Sequence, residues 1–122
     1  MSVTQKNILG IGIDIIEVSR IERAIERWGD HFLTHVFCEE EIAYAQKHKF
    51  PSQHFAARFA AKEAFLKALG DNSEANWKDI EITNDKNGKP ICNYKKKSFK
   101  GKIFISLSHT KNYAVANAII TS

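Results

Sequence analysis

Asp14, Glu63, Lys67 and His109, together with an arginine, supply two carboxylates, an amine, an imidazole and a guanidinium. Two carboxylates with open positions suit Mg²⁺, which keeps several waters and binds substrate phosphates. Lysine, arginine and histidine suit the remaining phosphate oxygens. Phosphoryl-type transfer asks for little else, because positioning and charge neutralisation do most of the catalysis. Each residue also has a plainer reading. Asp14 closes a strand and, from the strand alone, fits a helix-capping aspartate better than a ligand. Glu63 and Lys67 are four apart and fit a solvated helical ion pair, worth only about 0.3–0.5 kcal/mol. Their company argues otherwise: Phe55, Phe59, Phe65, Leu66, Leu69 and a series of alanines make that helix mostly buried. Charges in a buried helix need a partner or a ligand. His109, between Ser108 and Thr110, is a turn histidine, and most of those are incidental. Gly10-Ile11-Gly12 lacks the third glycine and the following helix of a dinucleotide fingerprint, and no P-loop is present.

The elements that must position these groups are readable from periodicity. Residues 8–15 alternate with period two and predict a strand. Leu9, Ile11, Ile13 and Ile15 share one face; Gly10, Gly12 and Asp14 share the other, where something can approach the backbone closely. Ser19 with Glu22 predicts a capping box that opens a helix. Val18, Ile21, Ile25 and Trp28 form its expected buried stripe, and Gly29 its end. Arg20, Arg23 and Arg27 fall at i, i+3 and i+7, one basic face. Cys38 and three glutamates open a shorter helix through Gln46. Phe50-Pro51-Ser52 starts the longest helix, which runs to about Leu69 and stops at Gly70. The remainder predicts strands: residues 79–83, then 91–94 after a loop containing Asn87-Gly88, then 103–108 and 113–120 around His109 to Asn112. Helices followed by antiparallel strands, with one strand first, give an α+β fold. The last strand is apolar on both faces, so both are expected to be covered, one of them by a neighbouring subunit.

A chain of 122 residues suits one domain, 1–122, with a modest core. Hydrophobic residues at 43% and charged residues at 26% exclude a disordered chain. No apolar run is long enough to span a membrane, and no signal peptide is expected. The two cysteines, Cys38 and Cys92, are read as reduced packing residues of a cytoplasmic protein. Lys95-Lys96-Lys97 reads as a solvated loop, and His31, His35, His48 and His54 receive no role. The net charge of +4 favours an acidic partner.

The motif series resembles a known family. Gly10-Ile11-Gly12-Ile13-Asp14-Ile15, Arg20-Ile21, residues 59–68 with Lys62-Glu63 and Lys67, Asn87-Gly88-Lys89-Pro90 and Ser106-Leu107-Ser108-His109-Thr110 are similar, in order, to holo-acyl carrier protein synthases. These are short bacterial 4′-phosphopantetheinyl transferases. The resemblance implies that Asp14 and Glu63 bind Mg²⁺ and that Glu63 also takes the proton of the incoming serine. It implies that Lys67 holds the coenzyme A pyrophosphate. Arg58, Ser108 and His109 would contact coenzyme A phosphates, and Pro90 the nucleotide or pantetheine. Arg20, Arg23 and Arg27 would dock the acidic helix of acyl carrier protein. The family implies a homotrimer with active sites between subunits. Two departures stand out. Asp71-Asn72-Ser73 replaces the family's usual glycine-containing continuation after Gly70. Cys38 replaces a helix-capping threonine, with a small expected cost in stability and none in activity. The rival from another class is a small basic nucleic-acid-binding protein, which the charge permits. Its basic residues are not interleaved with exposed aromatics, and no recognition motif appears.

Overall fold

The structure is a computed structural model that describes residues 7–70 and 76–122. Strand β1 (Ile8–Glu17) runs directly into helix α1 (Val18–Trp28). Helices α2 (Asp30–Val36), α3 (Glu39–Gln46) and α4 (Pro51–Leu69) follow. A 3-10 turn, Trp77–Asp79, then leads into β2 (Ile80–Asn84), β3 (Pro90–Tyr94), β4 (Lys102–His109) and β5 (Tyr113–Thr121). The strands form two antiparallel sheets, β1-β5-β4 and the β2-β3 hairpin. The fold is α+β, as the sequence predicts. No helix among the described residues is long and apolar enough to cross a membrane.

The glycine face of β1 is the seat of α4. A Cβ at Gly10 would stand 1.8 Å from the Ala68 carbonyl oxygen, and one at Gly12 would stand 1.9 Å from that of Ala64. The close approach expected at this face is therefore made by the helix. Ala57, Ala60, Ala61, Ala64 and Ala68 on α4 are buried, and so are Ala114, Ala116 and Ala118 on β5. Small residues on both surfaces let helix and sheet come together, and larger side chains such as Phe37, Phe65, Ile80 and Ile82 fill the rest of the core. Pro51 stands in the first turn of α4, and Gly70, at φ 84°, ends it by donating its N–H to the Leu66 carbonyl.

Among the described residues, one ion pair is wholly inside. Lys62 and Glu41 meet at 2.7 Å with both side chains fully buried. The Lys62 ammonium also donates to the carbonyls of Val36 at 2.7 Å and Trp77 at 3.2 Å. Glu41 accepts N–H groups from Cys38 and Ile82, each at 2.7 Å. Every hydrogen of the ammonium is thus used, and four segments are tied to α4. Removing one partner of such a pair costs about 3–5 kcal/mol, because the other charge is left buried and alone.

Two expectations need correction, and one helix is additional to them. The Ser19–Glu22 capping box does not form. The helix begins at Val18, whose N–H donates to the Asn112 carbonyl at 2.8 Å, and Glu17 is the residue before it. Ser19 already lies in the first turn and cannot cap it. Trp28 is 53% exposed instead of buried, because the end of α1 passes beyond the core; the Arg27 guanidinium lies 5.0 Å over its ring. Helix α2 has no counterpart in the sequence reading, since seven residues are too few to show a period, yet Leu33 and Val36 on it are buried. The two faces of β5 differ within the single chain. Its Ala114-Ala116-Ala118-Ile120 face is buried, whereas Tyr113 and Asn117 on the other are exposed and Val115 and Ile119 half-buried. Beside them lie Ile11, Ile13 and Ile15 of β1 and Phe104 of β4, each more than half exposed. The register gives the rows Ile11-Ile119-Phe104 and Ile13-Asn117-Ser106.

Candidate active site

Asp14 shares the inward face of β1 with the glycines and stands opposite Ala116 of β5. The Lys67 ammonium reaches its Oδ1 at 3.1 Å and the Ile13 carbonyl at 3.0 Å. Lys67 therefore turns away from the simple helical pair with Glu63 and bridges to the strand. Glu63, one turn earlier on α4, is partly buried. Burial first, and the Asp14 charge second, push its carboxyl above the usual carboxylate range; Lys67 and Arg20 work against that rise. Asp14, Glu63, Lys67 and Arg20 thus form one electrostatic group built from β1, α4 and α1. No cluster of three or more His, Cys, Asp or Glu side chains at metal-binding spacing occurs among the described residues. The donor set here is two carboxylates. It fits Mg²⁺, which takes one or two protein carboxylates and completes its shell with water and substrate phosphate. The mutual repulsion that raises Glu63 is what a cation would relieve.

A second group lies round α4. Arg58 is 3% exposed; its Nη2 donates to Asn84 Oδ1, and its guanidinium lies 4.0 Å over the Tyr44 ring. Asn84 in turn donates to the Gly88 carbonyl at 2.8 Å, so the hairpin loop is anchored to the helix through it. Arg58, Pro90, Ser108 and His109 line one cleft of about 350 Å³, which Tyr44 and His54 complete on one side. Two buried nitrogens there, Arg58 Nε and His109 Nδ1, have no hydrogen-bond partner among the described residues. Unused donors in a polar cleft lined by a guanidinium are suited to an anion.

The expected site residues fall into three places. Arg58 and Glu63 are five residues apart, which is about 140° round an α-helix. In a single chain, the cleft with Arg58 and the carboxylates with Lys67 therefore sit on different sides of α4. Arg20, Arg23 and Arg27 line an open groove of about 590 Å³ on α1 with Ala24 and Trp28. A larger hollow, about 860 Å³ between Ser19, Lys49, Pro51 and Lys111, contains none of the expected residues. The sequence reading missed His54, Tyr44 and Asn84. His54 precedes Arg58 by four positions on α4 and could have been found by that spacing. Tyr44 and Asn84 arrive by tertiary contact alone. The segment Asp71-Asn72-Ser73 lies outside the described residues.

The model of the 4′-phosphopantetheinyl transferase superfamily matches residues 10–118. The chain belongs to this superfamily. It is 48% identical over 114 residues to the holo-[acyl-carrier-protein] synthase of Thermodesulfovibrio yellowstonii, covering 93% of this chain and 99% of that one. It is 49% identical to the synthase of Clostridium tetani, covering 93% and 95%. Among solved structures, the Bacillus anthracis synthase in complex with CoA (3′,5′-ADP) superposes with a TM-score of 0.83 at 40% identity, over 94% of this chain and 97% of that one. The Helicobacter pylori synthase in complex with coenzyme A gives 0.82 at 32% identity, over 90% and 98%. This transferase family is thus matched over nearly the whole chain in both sequence and fold.

Proposed function

We propose that this chain is a holo-[acyl-carrier-protein] synthase, moving 4′-phosphopantetheine from coenzyme A to a serine of apo-acyl carrier protein. The observation that carries this is the meeting of Asp14 with Lys67 at 3.1 Å beside Glu63, from positions 53 apart in the chain. In this reading the serine oxygen forms a bond to the phosphorus that bears pantetheine. The pyrophosphate P–O bond breaks, and 3′,5′-bisphosphoadenosine leaves. Glu63 takes the serine proton, directly or through water. Lys67 holds the pyrophosphate and balances charge on the leaving oxygen. Asp14 and Glu63 would hold Mg²⁺, which supplies charge neutralisation at the phosphates when bound. Arg58, Ser108 and His109 hold coenzyme A phosphates in the cleft, with Pro90 against the nucleotide or pantetheine. The Arg20-Arg23-Arg27 groove receives the acidic helix of the carrier, and Arg20 links that groove to Glu63.

The same reading takes the enzyme as a homotrimer with sites shared between subunits. Two features support it. The open apolar face of β1-β5-β4 is what a monomer would not leave in water, and the division of the site residues round α4 suits completion by a neighbour. Free thiols at Cys38 and Cys92 fit the reducing cytoplasm. The decisive experiment incubates the protein with apo-acyl carrier protein, coenzyme A and Mg²⁺ and reads the carrier by intact mass. A gain of one phosphopantetheine, lost with a chelator and restored by Mg²⁺, is expected. An unmodified carrier would refute the reading.

A further inference from the structure

Beside the phosphate-facing side chains of the cleft stands a stack of imidazoles with no assigned task. His54 lies on His48 with ring centroids 3.8 Å apart and planes at 28°. It meets His109 edge-on, 4.9 Å away and at 68°. Tyr44 closes the group at 4.7 Å from His48 and 5.8 Å from His54, and His48 donates from Nδ1 to the Tyr44 carbonyl at 2.8 Å. The groups that face His54 are therefore Tyr44 and His48 from α3 and the turn after it, Arg58 from its own helix and His109 from β4. The Lys47 ammonium is one step further out, 5.7 Å over Tyr44. Burial foremost, then the charges of His48, His109 and Arg58, hold the His54 imidazole down at about 4. At neutral pH His54 is thus an uncharged ring in a cleft whose other walls include a buried guanidinium and the unpartnered His109 Nδ1.

We propose that His54 is the proton acceptor of this cleft: when a phosphate monoester enters, the imidazole stack takes one proton from solvent and grips the anion with it. The inference rests on the reading that the cleft holds a phosphate of coenzyme A. Its physical basis is compensation. Burial does most to keep a proton off His54 in the free protein, and the Arg58 charge that adds to it is one a phosphate dianion offsets, while the dianion itself stabilises a protonated ring beside it. The tight stacking of His48 on His54 resists a second proton, so uptake stops at one. Every bond stays intact, and solvent supplies the proton. Affinity for the monoester then rises as pH falls, approaching about tenfold per unit where one whole proton is taken up. The test titrates 3′,5′-bisphosphoadenosine into the wild-type protein and into His54→Phe by calorimetry. It covers pH 8 to 5.5, in pairs of buffers with different ionisation enthalpies. Phenylalanine keeps a ring in the stack, and thermal melts at pH 8 check that the variant folds. The ligand's own titration is common to both proteins and cancels. Wild type is expected to take up more protons and to gain several-fold more affinity toward pH 5.5 than His54→Phe. Equal uptake and equal pH slopes would overturn the role of His54 while leaving the cleft assignment intact. Absence of binding by either protein at any pH would overturn the cleft assignment and this inference together.

Discussion

Glu63 and Asp14 repel each other across the gap that Lys67 spans, so neither carboxylate is explained as packing. Asp14→Ala and Glu63→Ala should each lower transfer at least about hundredfold, the lower end of what a positioned acid–base group contributes. Circular dichroism should remain that of the wild type. Turnover unchanged in both variants, with Mg²⁺ present, would remove these residues from the reaction. His54 yields a second expectation, this time for stability. Unfolded, its imidazole takes a proton near 6.5; folded, it refuses one until about 4. The unfolded chain therefore binds more protons between those values, and stability falls as pH drops through that window. Melting temperatures measured from pH 7 to 4.5 should fall less for His54→Phe than for wild type; parallel curves would show that the ring is not held neutral. Asp14, Glu63 and Lys67 could be picked out from residue type and spacing, and Arg58 from the family resemblance. The histidine stack could not, because His109 reaches His54 only when β4 is laid beside α4.

At the scale of elements, period and small residues carried most of the information. The bare face of residues 10, 12 and 14 and the alanines of α4 are two halves of one contact, though the sequence shows each without the other. Gly12→Ala would drive a methyl group into the Ala64 carbonyl, 1.9 Å from where it must stand. Backbone cannot yield as a side chain can, so a loss of about 1–3 kcal/mol or more is expected from urea unfolding. An unchanged midpoint would mean that α4 can shift off the strand. Helix α1 was harder to read. Its start is set by a hydrogen bond from Val18 to a residue almost a hundred positions later, which no local cap signal encodes, and its final Trp28 overshoots the core. What the helix presents is the groove with Arg20, Arg23 and Arg27. Arg20→Glu should raise the KM for carrier protein several-fold and leave the KM for coenzyme A in place, and added salt should weaken the wild-type docking. A carrier KM that is unmoved at low salt would exclude the groove.

For the whole molecule the open sheet face matters most. The row Ile13-Asn117-Ser106 places an amide in the middle of isoleucines and valine. In the proposed trimer that amide is enclosed, and it must hydrogen-bond there or lose about 1–3 kcal/mol. Asn117→Asp would bring like charges together as subunits meet and should split the assembly, with activity falling alongside. Light scattering checks the first and the intact-mass assay the second. A fully active trimer of the variant would reject the role of Asn117. The apolar alternation of β5 was legible in the sequence as a strand with two coverable faces. Which face belongs to α4 was not, since that depends on the register with β1.

The enclosure of Lys62 has a practical consequence. An amine with no exposed surface and four segments gathered round it cannot meet an acylating reagent while the fold is closed. Surface lysines such as Lys67 and Lys95, whose side chains are about half exposed, would be modified quickly. Acylation of Lys62, followed by peptide mass mapping, would then act as a clock on the opening of the core, its rate set by how often α3 and the hairpin part from α4.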